Sequence, residues 1–374
     1  MDLGDLRKQI DSVDEQIVRL YEERMDICRH VAEVKIETGK KVFDREREKE
    51  KIARVKSLTH NDFNRTGIGE LFEQIMSMSR KLQYQLLTEK GSMGRLPFIG
   101  VDSLEDNRVR VVFQGAEGAY SQAAMHQYFG EEVNSFHVDT FRDACCAIEE
   151  GSADFAVLPI ENSTAGIVNE IYDLLVEFEN YIVGEQIIKI EHCLLGVPGT
   201  RMEDIRTVFS HPQSLMQSAR FLAEHDWKQI SLPNNAFAAR KVAQEKDRTQ
   251  AAIAGEYAGK VYGLEVLKKP VNQSETNSTR FIIITNQKIF RKDAGKVSIC
   301  FEIAHESGSL YHMLSHFIYN NLNMTKIESR PIEGRNWEYR FFVDFDGNLA
   351  DSAVKNALRG LRDEAQNMRI LGNY

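Results

Sequence analysis

The sequence predicts a multidomain chain in three parts: an all-α N-terminal segment, a two-lobed α/β middle domain and a ferredoxin-like α+β C-terminal domain. Three observations predict it. The first 88 residues carry apolar residues at alternating steps of four and three. From residue 109 short apolar strands alternate with helical stretches, the order of an α/β domain. Residues 296 to 374 read strand, helix, strand, strand, helix, strand. A chain of 374 residues also exceeds the size at which one hydrophobic core keeps growing.

Composition narrows the function classes. The chain is 42% hydrophobic and 28% charged, with no run apolar enough to read as a membrane helix. A formal net charge of -9 disfavours nucleic acid, whose binding needs a basic face, so local arginines must hold any anionic substrate. Cys28, Cys145, Cys146, Cys193 and Cys300 form no Cys-x-x-Cys pair, which argues against a disulfide framework or a cysteine zinc site. The opening Met1, Asp2, Leu3, Gly4, Asp5 lacks the basic start and apolar core of a signal peptide, so the cytoplasm is the expected location.

In the first helix the seam runs Leu6, Ile10, Val13, Ile17, Leu20, Ile27, Val31 and Val34, with Arg24 where an apolar residue is due. Residues 3 to 37 hold no proline and no glycine beyond the first turn, which implies one helix of roughly 50 Å at about 1.5 Å per residue. That is too long for one small monomeric bundle. Arg24 and Lys35 return to nearly the same face, whereas Arg7 points away and suits a site on a second copy of the chain. Gly39 ends this helix and a second begins near Asp44, with Asp44, Arg47 and Glu48 on one face. Arg45 and Lys49 read as solvated charges. A third helix repeats the seam at Ile68, Leu71, Ile75, Leu82 and Leu86, with Ser79 in an apolar position and Gln83 one turn on.

Seams that carry Arg24, Lys35, Ser79 and Gln83 enclose a polar pocket whose groups must pair with each other or with a ligand, and the cationic excess suggests a dicarboxylate. Residues 5 to 88 resemble the all-helical chorismate mutase family, an intertwined dimer whose long first helix spans both active sites. The resemblance implies that Arg7 of a second copy, Arg24 and Arg47 grip the substrate carboxylates. It further implies that Lys35 and Gln83 donate to the ether oxygen, that Glu48 meets the hydroxyl, and that Asp44 and Ser79 support the pocket. A pericyclic rearrangement needs no nucleophile, only a compact substrate and donors aimed at the oxygen that gains charge.

Beyond a linker at 91–107, Val109 to Phe113 reads as a strand leading through Gln114 to Ser121 into a helix, a turn whose free N–H groups favour anions. The spacing is not that of a dinucleotide fingerprint, and Thr38-Gly39-Lys40 lacks the upstream glycine of a phosphate loop. His312 and His316 lack a third ligand and read as ordinary helix residues. Strands are expected at 155–160, 181–190, 193–197, 207–209, 251–254 and 281–285. Three polar clusters follow such strands: 161–166, 210–217 and 277–281. Strand ends at a lobe interface are where small ligands bind. Residues 108–286 are similar to the prephenate dehydratase family, including its Thr-Arg-Phe segment at 279–281. The similarity makes Asn162, Ser210, Gln217 and Thr279 the catalytic candidates and Arg280 a carboxylate anchor, with Thr279 polarising the leaving hydroxyl. Glu161 and His211 are candidate proton sources.

Residues 296–374 resemble an ACT domain, a regulatory module for small molecules. Gly308-Ser309-Leu310 matches its glycine loop with serine for the usual alanine, and Glu328-Ser329-Arg330-Pro331 matches the phenylalanine-binding segment of dehydratases. Together the three parts resemble the fused family that converts chorismate to prephenate and prephenate to phenylpyruvate. That implies no metal or organic cofactor, phenylalanine as allosteric effector, and a homodimer or higher homo-oligomer. Two other readings compete: a dehydratase whose helical part only dimerises, and a phenylalanine-sensing protein with inactive catalytic domains. The intact Arg24, Lys35, Glu48 and Gln83 speak against the first, and Thr279 against the second.

Overall fold

A computed structural model of the chain describes residues 2–91, 96–104 and 109–374. Residues 92–95 and 105–107 of the expected linker, and residue 108 after it, lie outside the described residues. The chain divides into two compact units. One comprises 1–97 with 295–370, and the other 98–294 with the last four residues.

In the first unit, α1 (Leu3–Thr38) ends at Gly39, whose φ of 68° takes the left-handed conformation that a side chain disfavours. Asp44 caps α2 (Arg45–Ser57) by accepting from the Arg47 N–H at 3.2 Å, and Asn61 caps α3 (Asp62–Glu89) by accepting from Asn64 N–H at 2.7 Å. Gly39 and Asp44 therefore end one helix and start the next, as the sequence predicts.

The seam of α1 departs from expectation. Leu6, Ile10, Val13, Ile17, Leu20, Ile27, Val31 and Val34 are all exposed, and only Ala32 of this helix is buried. The second half of α1 meets α3 through Arg24, Met25 and Ile36, and one chain leaves the apolar stripe exposed.

The second unit opens with β1 (Ile99–Val101), which pairs with a late strand, and continues through β2 (Arg110–Gln114), α4 (Tyr120–Phe129), β3 (Asn134–Val138), α5 (Phe141–Glu149), β4 (Phe155–Asn162), β5 (Gly166–Ile167), α6 (Asn169–Glu177) and β6 (Tyr181–Lys189). The second lobe holds β7 (His192–Gly196), β8 (Thr207–Ser210), α7 (Pro212–Gln217), α8 (Ala219–Leu222), β9 (Lys228–Ser231), α9 (Asn235–Glu245), β10 (Gln250–Gly255), α10 (Glu256–Tyr262) and β11 (Glu265–Lys268). The chain then returns through β12 (Ser278–Thr285) and β13 (Ile289–Arg291).

The first lobe's sheet runs β6-β12-β4-β2-β3, with β12 antiparallel to both neighbours, and the second lobe's runs β11-β7-β10-β8-β9. Each lobe has its own core, one around Val111, Phe113, Met125 and Ile283, the other around Leu195, Phe209, Val242 and Ala252. The six strands read from the sequence are all present. Asn134–Val138, Lys228–Ser231 and Glu265–Lys268 were not expected: each is mostly exposed and polar, so no apolar run marks it.

The chain continues through β14 (Lys296–Glu302), α11 (Ser309–Tyr319), β15 (Met324–Pro331), β16 (Tyr339–Asp346), α12 (Ser352–Glu364) and β17 (Gln366–Asn373), with strand order β15-β16-β14-β17; residues 295–370 of this stretch belong to the first unit. This is the βαββαβ order predicted. Alternate burial along β15 shows why period two was legible there.

Candidate active site

Two clusters of polar side chains stand out, one in each unit. On α1 and α3, an Arg24 guanidinium nitrogen donates to Ser79 Oγ, which in turn donates to the Ile75 carbonyl at 2.8 Å. Gln83 Nε2 donates to the Ser79 carbonyl at 3.1 Å, leaving its buried Oε1 without a partner among the described residues. Lys35 Nζ donates to the Val42 carbonyl at 2.7 Å. Burial, then the nearby Arg47 charge, lowers the Lys35 ammonium below its ordinary value. Asp44 serves as the α2 cap, and Arg47 is exposed. Arg7 lies 17 positions before Arg24 on the same straight helix, about 25 Å away at about 1.5 Å per residue, so this chain does not bring it to the cluster.

Glu48 has a partner that the sequence did not reveal. Arg80 Nη1 donates to Glu48 Oε2 at 2.5 Å, while its Nε and Nη2 donate to the two oxygens of Glu364 on α12 at 2.7 and 3.2 Å. His316 Nε2 lies 3.3 Å from Glu364, and a Cβ on Gly360 would meet the His316 ring at 2.4 Å, so only glycine fits there. Burial raises the Glu364 carboxyl, but His316 and Arg80 outweigh it and hold the group at about 2. A cavity of about 450 Å³ borders this network, lined by Phe43, Lys49, Met76 and His312. Among the described residues no group of three or more His, Cys, Asp or Glu could hold a metal, and His312 and His316 face carboxylates.

In the second unit a cleft of about 570 Å³ opens between the lobes, lined by Tyr120, Asn162, His192, His211, Gln217 and Thr279 among others. Asn162 is its hub. Its Oδ1 accepts from the Thr164 and Ala165 backbone N–H groups at 3.0 and 2.9 Å and from Thr164 Oγ1 at 2.8 Å. Its Nδ2 lies 2.8 Å from Asn277 Oδ1 and 2.9 Å from Thr279 Oγ1. Gln217 Nε2 donates to Thr164 Oγ1 at 2.8 Å, and Gln217 Oε1 accepts from Asn277 Nδ2 at 3.2 Å. His192 Nε2 sits 2.9 Å from the same Gln217 oxygen, and Tyr120 Oη lies 3.1 Å from His192 Nδ1 and 3.0 Å from the Glu191 carbonyl. Burial pushes the His192 and His211 imidazoles down from their ordinary values.

Two expected site residues are placed elsewhere. Ser210 is fully buried behind the cleft, donating to the Ile253 carbonyl at 2.6 Å and lying 3.0 Å from Asn235 Oδ1, so it fixes the backbone and Asn235 and does not face a ligand. Arg280 falls between Thr279 and Phe281, which line the cleft, and strand alternation turns it to the other face, where its Nε lies 3.5 Å from Glu185. The structure thus places Arg280, the expected carboxylate anchor, beside Glu185 and not among the lining residues of the cleft. Glu161, one candidate proton source, is likewise not a lining residue, whereas His211 is. His192, Asn235 and Arg80 are the residues that sequence reading missed. His192 opens an apolar strand and Arg80 follows an expected pocket serine, so neither had a spacing signal.

In the C-terminal part, Gly308, Ser309 and Leu310 line a cavity of about 190 Å³ with Tyr339 and Phe341, and Ser309 Oγ donates to the Glu306 carbonyl at 2.9 Å. Glu328, Ser329, Arg330 and Pro331 lie on β15, the outer strand of the order, and do not line it.

Residues 6–84 match the family model for chorismate mutase type II, and residues 111–289 match that for prephenate dehydratase. The bifunctional chorismate mutase/prephenate dehydratase of Escherichia coli strain K12 is 32% identical over 99% of this chain and 95% of its own length. The chain belongs to the bifunctional chorismate mutase/prephenate dehydratase family. The family's enzyme from Stutzerimonas stutzeri is 33% identical over 99% of this chain and 96% of its own. The crystal structure of prephenate dehydratase from Arthrobacter aurescens in complex with L-Phe matches 71% of this chain and 89% of its own, at 28% identity and a TM-score of 0.66.

As a member of this family the chain is a bifunctional enzyme of phenylalanine biosynthesis, rearranging chorismate to prephenate and converting prephenate to phenylpyruvate.

Proposed function

We propose that the two reactions are carried by separate sets of side chains, one in each polar cluster. Arg24, Lys35, Arg47, Glu48, Ser79 and Gln83, completed by Arg7 of a second copy and braced by Asp44, hold chorismate compactly and donate to its ether oxygen. The exposed apolar stripe of α1 supports the second copy, because a helix of 36 residues with a continuous uncovered seam calls for a partner of matching pattern. In the cleft, Thr279 donates to the departing hydroxyl of prephenate while carbon dioxide leaves and the ring becomes aromatic. Asn162 and Gln217 hold Thr279 and the substrate, with Ser210 supporting from behind.

One observation carries the dehydratase assignment: Asn162 Nδ2 lies 2.9 Å from Thr279 Oγ1 in the wall of the cleft. A hydroxyl that receives a hydrogen bond keeps its own proton for a ligand. Thr279→Ala is expected to lower prephenate turnover by about 10²- to 10³-fold, the usual cost of one aimed donor, with mutase activity intact. Arg24→Ala should do the reverse. Loss of both activities in either folded variant overturns the two-site assignment.

The domain limits proposed are 1–90 for the mutase, 108–286 for the dehydratase and 296–374 for an ACT domain. Phenylalanine is the proposed effector of the last, at Gly308 to Leu310 and Glu328 to Pro331, supported by the βαββαβ order and by the L-Phe complex of the Arthrobacter aurescens enzyme. Binding that favours one quaternary state makes it allosteric. Unchanged activity and sedimentation under saturating phenylalanine would end that reading. Among the described residues no helix is long and apolar enough to cross a membrane, and the cytoplasm is the proposed location.

A further inference from the structure

We infer that His192 is a positioning residue for the dehydratase reaction: it holds a neutral, Nε2-protonated imidazole that completes a one-way hydrogen-bond network and leaves the Thr279 proton pointing at the substrate. The inference rests on Thr279 as the donor and adds how its direction is fixed.

The direction follows from two backbone groups. Thr164 N–H and Ala165 N–H can only donate, and both reach Asn162 Oδ1. That end of the Asn162 amide is therefore the oxygen, and its NH2 faces Asn277 Oδ1 and Thr279 Oγ1. With Asn277 Oδ1 accepting, its NH2 turns to Gln217, so Gln217 presents its oxygen there and its own NH2 to Thr164. Thr164 accepts from Gln217 and passes its proton to Asn162 Oδ1, which agrees with the starting point. The amides thus admit one arrangement, and the Thr164 hydroxyl has two acceptors for its proton, Asn162 Oδ1 at 2.8 Å and Asn277 Oδ1 at 3.3 Å.

His192 must comply with it. The Gln217 oxygen 2.9 Å from Nε2 is an acceptor, so Nε2 carries the hydrogen. The ring is buried, with its pKa pushed down, so it stays neutral and Nδ1 is bare. Tyr120 Oη lies 3.1 Å from Nδ1 and 3.0 Å from the Glu191 carbonyl, and its one proton goes to Nδ1, because giving it to the carbonyl would set the phenol oxygen against a bare Nδ1. Gly255 makes room for Tyr120, since a Cβ there would lie 3.0 Å from the phenol ring. The backbone N–H of His192 donates to Asn272 Oδ1 at 2.9 Å and holds the residue in place. Without the His192 donor, Gln217 Oε1 keeps only the longer 3.2 Å bond from Asn277, and its amide is freer to turn over. A turned Gln217 accepts from Thr164 and points its NH2 at Asn277, whose amide must turn in its own right, so Asn162 Nδ2 loses the Asn277 Oδ1 acceptor that holds it beside Thr279.

Full-length His192→Leu should lower kcat on prephenate by about 10²-fold, the scale of a misplaced reacting group, with little change in KM and unchanged mutase activity. His192→Gln, whose amide hydrogen takes the place of Nε2–H, should recover most of the rate. Tyr120→Phe should cost a few-fold. The ring nitrogens of 15N-labelled histidine report the tautomer directly. A bare Nδ1 with protonated Nε2 at His192 supports the network, and the opposite tautomer overturns it. Equal loss in the leucine and glutamine variants, or a loss seen only in KM, also overturns it. If Thr279→Ala retains activity, the donor assignment itself fails; if Thr279→Ala is inactive but His192→Leu is not, only the network fails.

Discussion

The polar networks of the two units are built from opposite materials. Around Glu48 the buried groups are ions, with Arg80 held between Glu48 and Glu364. Around Thr279 they are neutral amides, hydroxyls and an imidazole, and among the described lining residues of that cleft none is a lysine or arginine. The chemistry accounts for the difference. A rearrangement keeps its substrate's carboxylates and develops charge on an ether oxygen, so cations stabilise bound substrate and transition state alike. The dehydratase must lose a carboxylate as carbon dioxide. A guanidinium clamped on that carboxylate would stabilise the starting state more than the transition state and slow the reaction. Neutral donors aimed at the departing hydroxyl avoid this.

The contrast can be broken most forcefully at Arg80. Arg80→Met leaves the buried Glu364 with only His316 beside it and the partly exposed Glu48 without its cation, and should destabilise the first unit by about 3 kcal/mol. Urea unfolding followed separately in the two units would measure it, and an unchanged midpoint would remove the ionic network from the comparison. Acid is the next lever. The Glu364 carboxyl sits at about 2 in the folded chain against 4.5 ordinarily, so the unfolded chain takes up its proton first as pH falls. Its stabilisation, about 3 kcal/mol at most, is whole above pH 4.5 and disappears toward pH 2. Glu364→Gln should flatten the acid limb of the first unit's stability curve. The second unit's cleft, with no carboxylate bonded into its Asn162 network, should show no matching change.

Gln217→Leu removes the partner of Thr164, Asn277 and His192 at once. It should cost about 1–3 kcal/mol in stability and lower prephenate kcat by about 10- to 100-fold, measured on the purified full chain. The smallest effect concerns salt. Shortening the screening length from about 10 Å to about 3 Å should raise the KM for chorismate several-fold and leave that for prephenate nearly flat. Equal sensitivity in both would mean that unseen cations serve the cleft.

Much of this was legible in sequence because it rests on period. The α1 and α3 seams, the alternation along β15 and the caps at Gly39 and Asp44 are spacing signals, and each element formed where the spacing put it. Thr279 and Asn162 were legible as polar residues at strand ends. What the sequence hid are facts of three-dimensional facing. Ser210 and Arg280 sit beside cleft residues in the chain but point away from the cleft, one into the core and one across the sheet. His192 and Gln217 are 25 positions apart and meet because β7 begins and α7 ends at the cleft. Strands as polar as Lys228–Ser231 carry no apolar pattern at all.

The Arg80 to Glu364 pairing has one more consequence, in time. The two residues are 284 positions apart, with residues 98–294, all of the second unit but its last four residues, encoded between them. At about 5–20 residues per second on the ribosome, roughly 15–60 s pass between their syntheses, long enough for the intervening unit to fold first. During that interval the α3 face bearing Arg80, Lys81 and Tyr84 has no Glu364, Ser315 or His316 to meet. The nascent chain therefore has both lobes of its later-acting enzyme before the brace of its earlier-acting one, and a chain cut short before α12 would carry the lobes without Glu364 to pair with Arg80.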